Sequence, residues 1–314
     1  MRAKPLDISE VPPTGSLHLP DLASSETVVS NSGAEARWLA EGARLHLNHG
    51  PIDLLLEVAG PRVARLSALK RACAEFDGVL GGLMAEIEVL RRPYNGIKSK
   101  AKGPVARRMI ASLDGYEADF VTPMASVAGA VADHILAAMH KTAGLEFASV
   151  NNGGDIAFWQ GARPTLRIAI VSDPRTGTQA GVVSLTPQDG ISGVATSGWR
   201  GRSFSLGIAD AVTVLAKNAA AADVGATLIA NAVDLPHHSA ITRARACDLA
   251  PDSDLGARLV VTDVGGLSDH EVGLALAAGA RVADTLVARG AVCSVFLCLA
   301  GRVSIVGKQS NILT

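Results

Sequence analysis

Aromatic residues are scarce, with 6 Phe, 3 Trp and 2 Tyr in 314 residues. That excludes the stacking platforms on which single-stranded nucleic acids are held. A charge surplus is missing as well. The 29 Lys and Arg are matched by 30 Asp and Glu, and a general nucleic-acid binder needs a basic excess. Four cysteines, Cys73, Cys247, Cys293 and Cys298, lack the spacing of a zinc site or a redox pair. Cys293 and Cys298 lie in the apolar run 291–300 and read as small buried hydrophobes. No uninterrupted apolar run reaches the length of a membrane helix. Met1 to Ser30, with Pro12, Pro13 and Pro20, has no apolar segment of signal-peptide length. The expected setting is cytoplasmic, with neither nucleic acid nor membrane as partner. What the chain does have is apolar content, 48% of its residues, and 32 glycines. The first excludes disorder over most of its length; the second predicts many tight turns.

Residues 1–35 read as a partly ordered extension and 36–314 as one domain. The stretch 36–57 holds one or two strands. From Arg62 to Arg91 the apolar spacing is helical, with Gly78, Gly81 and Gly82 as breaks. Between Arg91 and Leu113 there is no acid but Arg91, Arg92, Lys98, Lys100, Lys102, Arg107 and Arg108. This is either a solvated loop or a basic arm that meets phosphate or carboxylate. Met124–Met139 reads as a buried helix behind Thr122-Pro123, with Asp133 and His134 inside it. The period then becomes two over 147–151, 155–159, 165–172, 180–185, 193–197 and 210–215. Helices follow over 218–233 and 268–288, with strands at 258–264, 291–299 and 302–306. Ser268 or Asp269 caps the last helix. Strands grouped apart from helices predict an α+β fold with an antiparallel sheet, not a doubly wound one.

Three segments could carry chemistry. Asn151-Asn152-Gly153-Gly154-Asp155 is a turn between strands. Its glycines permit positive φ and close approach of a ligand, and Asp155 could accept a hydrogen bond; the other reading is an ordinary hairpin. Asp223 and Thr227 are four apart on an otherwise apolar helix and share one face. A carboxylate on a buried face needs a partner, either a hard cation such as Mg²⁺, which takes oxygen ligands, or an arginine from elsewhere. Thr196-Ser197-Gly198-Trp199-Arg200-Gly201-Arg202 joins two strands. It is a plain surface hairpin or a place where Arg200 and Arg202 bind phosphate or carboxylate. His237-His238 read as a loop.

In this order and spacing, Asn-Asn-Gly-Gly-Asp-Ile, Thr196-Ser197-Gly198 and Ala222-Asp223-x-x-x-Thr227 resemble the ApbE-like superfamily. Val121 to Gly129 resembles its cytosolic branch. The likeness covers roughly residues 100–310. It implies an α+β fold with a T-fold-like core and a flavin transferase that moves FMN from FAD to a protein Thr with Mg²⁺. Carried over by position, it implies Asp223 and Thr227 as Mg²⁺ ligands. It also implies Asn152, Gly153, Gly154, Asp155, Thr196, Ser197 and Gly198 around the cofactor. In an enzyme acting on a small anionic metabolite, Asp155 or Asp223 would be the catalytic acid or base, and Arg200, Arg202 and the arm at 91–108 would hold the anionic substrate.

The chain departs from the family pattern at one place that matters. Where flavin transferases carry His-x-x-Asp-Pro-x-x-Gly, residues 202–210 hold no His and no Asp-Pro. Ser32-Gly33-Ala34-Glu35 has Glu where a flavinylated Thr or Ser would stand. Three readings remain open: a Mg²⁺-dependent flavin transferase acting on a protein acceptor, a cytosolic enzyme acting on a small anionic metabolite without flavin, and a non-catalytic flavin or metabolite binder. The apolar C-terminal strands are compatible with a homodimer.

Overall fold

The computed structural model describes residues 15–22, 26–39, 43–96, 101–117, 119–161, 163–173, 176–307 and 312–313. Strands β1 (Val28–Val29), β2 (Glu35–Leu39), β3 (Arg44–His49) and β4 (Ile52–Ala59) come first. Helices α1 (Arg62–Phe76), α2 (Val79–Met84), α3 (Ile87–Leu90), α4 (Pro104–Ala111) and α5 (Val127–His140) follow, the last behind a 3-10 turn at Pro123–Ser126. Then come β5 (Phe147–Asn152), β6 (Asp155–Trp159), β7 (Leu166–Asp173), β8 (Thr178–Leu185), β9 (Gly193–Ser197), β10 (Ala211–Ala216) and α6 (Ala219–Ala232). The chain continues through β11 (Ile241–Arg245), α7 (Ala246–Leu249), β12 (Leu259–Val264), α8 (Asp269–Ala288), β13 (Ser294–Leu299), β14 (Arg302–Gly307) and β15 (Ile312–Leu313).

Ten strands form one sheet in the order β1-β2-β3-β4-β5-β6-β9-β10-β13-β14, every pair antiparallel. The order repeats a plan. Hairpin β3–β4, helices, hairpin β5–β6 make one half; hairpin β9–β10, helices, hairpin β13–β14 make the other. The halves join where β6 pairs with β9, at Ile156 opposite Val194 and Ala157 opposite Gly193. The α+β expectation is met, with helices and a large antiparallel sheet in separate layers.

Side-chain alternation sorts each strand between two cores. On the helix side, Leu45, Leu47, Leu54, Leu56, Val150, Val212, Val214, Val295 and Leu297 pack against the helices. On the other side, Phe147, Phe158, Ala211, Leu215, Phe296 and Cys298 meet Ile170, Val183 and Leu185 of the small sheet β15-β8-β7. β10 and β13 are therefore buried along their whole length, which is why they read as continuous apolar runs.

The described part of the N-terminal stretch packs onto this body. Leu17 is in the core, its N–H donates to Asp77, and β1 pairs with β2. The stretch 36–57 contributes to three strands, not one or two, because Gly50 turns the chain between β3 and β4 with φ +57°. The acid-free segment is not all loop: Pro104 opens α4, which buries Val105, Ala106, Met109 and Ile110 and leaves Arg107 and Arg108 exposed. Lys98 and Lys100 lie outside the described residues. The strand at 258–264 pairs not with the large sheet but with β11, forming a separate ribbon. Among the described residues no helix is long and apolar enough to cross a membrane.

Candidate functional site

Asp155 opens β6 and Asp223 sits on the second turn of α6. The β5–β6 turn is built to bring its backbone close to a neighbour. Gly153 and Gly154 take φ +65° and +115°, and the Gly154 N–H donates to Asn151 Oδ1 at 2.8 Å. A side chain at Gly153 would collide with the Arg202 guanidinium, whose Nη2 lies 2.1 Å from an ideal Cβ position. Asn152 is buried, and its Nδ2 donates to the Ala128 carbonyl at 3.1 Å. This side chain therefore bolts the turn to the start of α5.

Both carboxylates are strained electrostatically. Burial pushes Asp155 up to about 7, against the pull of the Thr196 N–H and the Arg202 charge. Burial also raises Asp223 well above the carboxylate range; the facing Asp155 charge adds to this, and the Gly129 and Ala128 amides oppose it. Asp155 Oδ1 accepts from Thr196 N at 3.2 Å, and Asp223 Oδ2 from Gly129 N at 3.0 Å. Among the described residues no Lys, Arg or His lies within ion-pair distance of either. Two partly buried like charges of this kind share a proton or need an added cation.

The donor set suits a hard cation. Two carboxylates and the Thr227 hydroxyl position, one turn beyond Asp223 on α6, are all oxygen. Among the described residues no group of three or more His, Cys, Asp or Glu gathers to hold a metal alone. Mg²⁺ is the kind of ion that takes one or two carboxylates and completes its shell with water and ligand oxygens.

The other expected site residues divide. Thr196 serves the site with its main-chain N–H, while its hydroxyl pairs with Thr213 at 2.8 Å. By strand alternation that hydroxyl points away from the helix side, where Ser197 stands with Ala195. Gly198 packs so tightly that a Cβ would meet the Asp210 carbonyl at 2.5 Å. Arg202 is exposed and lies over the glycine turn. Arg200 is placed elsewhere: it binds Asp210 at 2.5 Å and stacks over Trp199. His134 pairs with Glu75 at 2.8 Å, and burial lowers its pKa. His238 pairs with Glu271 at 2.9 Å.

Asp133 stands in the sequence only as a polar residue inside an apolar helix. Its Oδ1 and Oδ2 accept from the Ala219 and Ala220 N–H groups at 3.0 and 2.9 Å. The clue was the same as for Asp223, a carboxylate on an apolar helix. A cavity of about 480 Å³ lies at the far end of β6, beside Trp159, Pro187 and Ile191. Another of about 160 Å³ lies beside Glu75 and His134. Neither is lined by Asp155 or Asp223.

Comparison with known proteins places these residues in a family. The profile of the family described as AbpE bacteria matches residues 36–305. A UPF0280 protein of Methanothrix thermoacetophila is 39% identical over 131 residues, 41% of this chain and 52% of that protein. One of Methanosphaerula palustris is 44% identical over 135 residues, 42% and 54% respectively. The chain thus spans about half the length of these curated relatives. A UPF0280 protein of Methanosarcina barkeri is 35% identical over 191 residues, 60% of this chain and 72% of its own length. Among solved structures, the flavinyl transferase ApbE of Pseudomonas stutzeri superposes with a TM-score of 0.42 at 12% identity, over 83% of this chain and 93% of the other. The ApbE protein of Thermotoga maritima superposes with 0.43 at 13%, over 85% and 97%. With most of its length matched by one family profile, the chain belongs to the AbpE bacteria family and stands with the UPF0280 proteins.

Proposed function

We propose that this protein is a Mg²⁺-dependent, ApbE-like flavin transferase of the cytoplasm, moving FMN from FAD to a Thr or Ser of a protein acceptor. The observation that carries the reading is the Asp155–Asp223 pair, two facing carboxylates beside a glycine turn with no ion-pair partner among the described residues and only the longer-range pull of Arg202 on Asp155. Asp223 and Thr227 would hold the Mg²⁺, with Asp155 facing them. The ion, when bound, supplies a Lewis acid that neutralises charge on the diphosphate oxygens. Gly154, with open space where a Cβ would stand, leaves room for the cofactor beside Ser197, while Gly153 and Gly198 let the Arg202 guanidinium and the Asp210 main chain pack close to the turn. Asp155, titrating near neutrality, takes the proton of the acceptor hydroxyl as its oxygen bonds to the FMN phosphorus. The bond from that phosphorus to AMP breaks, and AMP leaves. The two hairpin–helices–hairpin halves support a T-fold-like kinship.

One observation favours a second reading, an enzyme acting on a small anionic metabolite without flavin. The segment 202–210 has no His or Asp-Pro; its Asp210 accepts from Arg200 and its Leu206 N–H donates to Asn231 Oδ1. Titration of FAD with and without Mg²⁺, beside Asp223→Ala, separates the two. Tight Mg²⁺-enhanced binding lost in the variant, followed by covalent FMN on a Thr-containing acceptor peptide, supports the transferase. Absence of flavin binding under all conditions removes it.

A further inference from the structure

Helices α5 and α6 cross so closely that a Cβ at Gly129 would lie 2.3 Å from the Ala219 carbonyl oxygen. At this crossing each helix gives a carboxylate to the first turn of the other. Asp133 of α5 takes the Ala219 and Ala220 N–H groups of α6. Asp223 of α6 takes the Gly129 N–H of α5. The exchange satisfies amides that a helix start leaves without partners and sets negative charge where the helix dipole favours it. It is also rigid, because Asp133 spends both oxygens on one turn of α6. The turn that carries Asp155 joins the same assembly, through Asn152 and the Ala128 carbonyl.

From this closed circuit we infer that Asp133 is a positioning residue for the cation site, fixing the rise and rotation of α6 that set Asp223 against Asp155. The inference rests on the Mg²⁺ reading of that pair. Asp133 itself touches neither ligand nor reacting atoms; it acts through the first turn of α6, with Asp223 one turn further along. An amide in its place keeps one acceptor oxygen and turns an NH₂ toward a helix N–H, so one end of the fork is lost.

The probe is Mn²⁺ as a stand-in for Mg²⁺, its affinity read by electron paramagnetic resonance on the full chain, with thermal unfolding recorded in parallel. Asp133→Asn is expected to bind about tenfold more weakly or worse, as supporting groups behind metal ligands commonly do. Asp133→Glu keeps the charge and both oxygens and so keeps the fold, but is one methylene too long, and it is expected to weaken binding too. Ser268→Ala removes the side-chain cap of α8; it should lower the unfolding temperature and leave Mn²⁺ affinity as in the wild type. Wild-type affinity in both Asp133 variants overturns the inference while leaving the cation reading in place. Equal weakening in Ser268→Ala overturns it as well, since mere destabilisation would then explain the loss. A wild-type protein that binds no Mn²⁺ overturns the cation reading, and the inference with it.

Discussion

Asp210, just before β10, gathers three donors: Arg200 Nε at 2.5 Å, Trp199 Nε1 at 3.3 Å and the Ala300 N–H at 2.6 Å. Asp155 and Asp223 lie at the same end of the sheet, since the start of β6 and the end of β9 adjoin the start of β10. There each carboxylate has its backbone amides, faces the other, and has no ion-pair partner among the described residues. The first region is balanced by the chain's own arginine and ties the β9–β10 connection to the β13–β14 turn. In the second, burial disfavours the charged form of both carboxyls, and Arg202 acts on Asp155 only from beyond ion-pair distance. A carboxylate near an arginine in sequence is thus no guide to ligand binding: Arg200 is spent inside the fold, and Arg202, two residues on, faces the turn.

The largest effect expected from breaking this contrast is Asp210→Ala. It strands a partly buried guanidinium, an indole N–H and a main-chain N–H together, and loss of one side of such a pair costs about 3 kcal/mol or more. Denaturant unfolding should show that loss at neutral pH with or without Mg²⁺. An unchanged midpoint would show that Asp210 is not the balanced partner its distances describe.

Next in size is the pH response of the unbalanced pair. Asp155 is raised to about 7 in the folded protein, against about 3.9 in an unfolded chain. The folded state therefore holds this proton more tightly, and its contribution to stability is lost as pH rises from about 4 to about 7. Asp223 is raised too, so it acts in the same direction. Without divalent cation, the unfolding temperature should fall over that range. Added Mg²⁺ should restore it at pH 8, because a ligand that binds only the folded state stabilises it. Asp155→Asn should flatten the fall and abolish the Mg²⁺ response. A wild-type profile unmoved by Mg²⁺ would count against the pair as a cation site.

How legible all this was in the sequence followed distance along the chain. The caps of α6 and α8 are local, Asn218 accepting from Ala221 N and Ser268 from Glu271 N, and their helices were placed within a residue. The glycine turn and the Asp223-Thr227 face were legible for the same reason. The strand β11 was missed because Ile241–Arg245 carries two arginines and a short, half-exposed pattern, and only its pairing with β12 makes it a strand. Asp133 shows in the sequence only as a carboxylate on an apolar helix, and its partners lie 86 and 87 residues away; Asp210 has Arg200 nearby in sequence, but its tie to Ala300 spans 90 residues. Arg200 and Arg202 looked alike because the residues that separate them, Asp210 and Gly153, become neighbours only in the folded sheet.

The finest test of the contrast sets those two arginines side by side. Arg202 is exposed, so Arg202→Ala should leave stability within about 0.5 kcal/mol of the wild type, as surface changes generally do. Its positive charge nonetheless opposes the rise of the Asp155 pKa. Removing it should push that carboxyl higher still and shift the pH-dependent fall in stability upward. Inorganic pyrophosphate with Mg²⁺, titrated by calorimetry, should bind Arg202→Ala more weakly than the wild type, since a guanidinium gives charge-assisted, often bidentate bonds to phosphate. Arg200→Ala should do the reverse, lowering stability by orphaning Asp210 while retaining pyrophosphate affinity in the protein that remains folded. If both variants lose pyrophosphate equally, the two arginines serve one site, and the division between a self-balanced region and a ligand-seeking one does not hold.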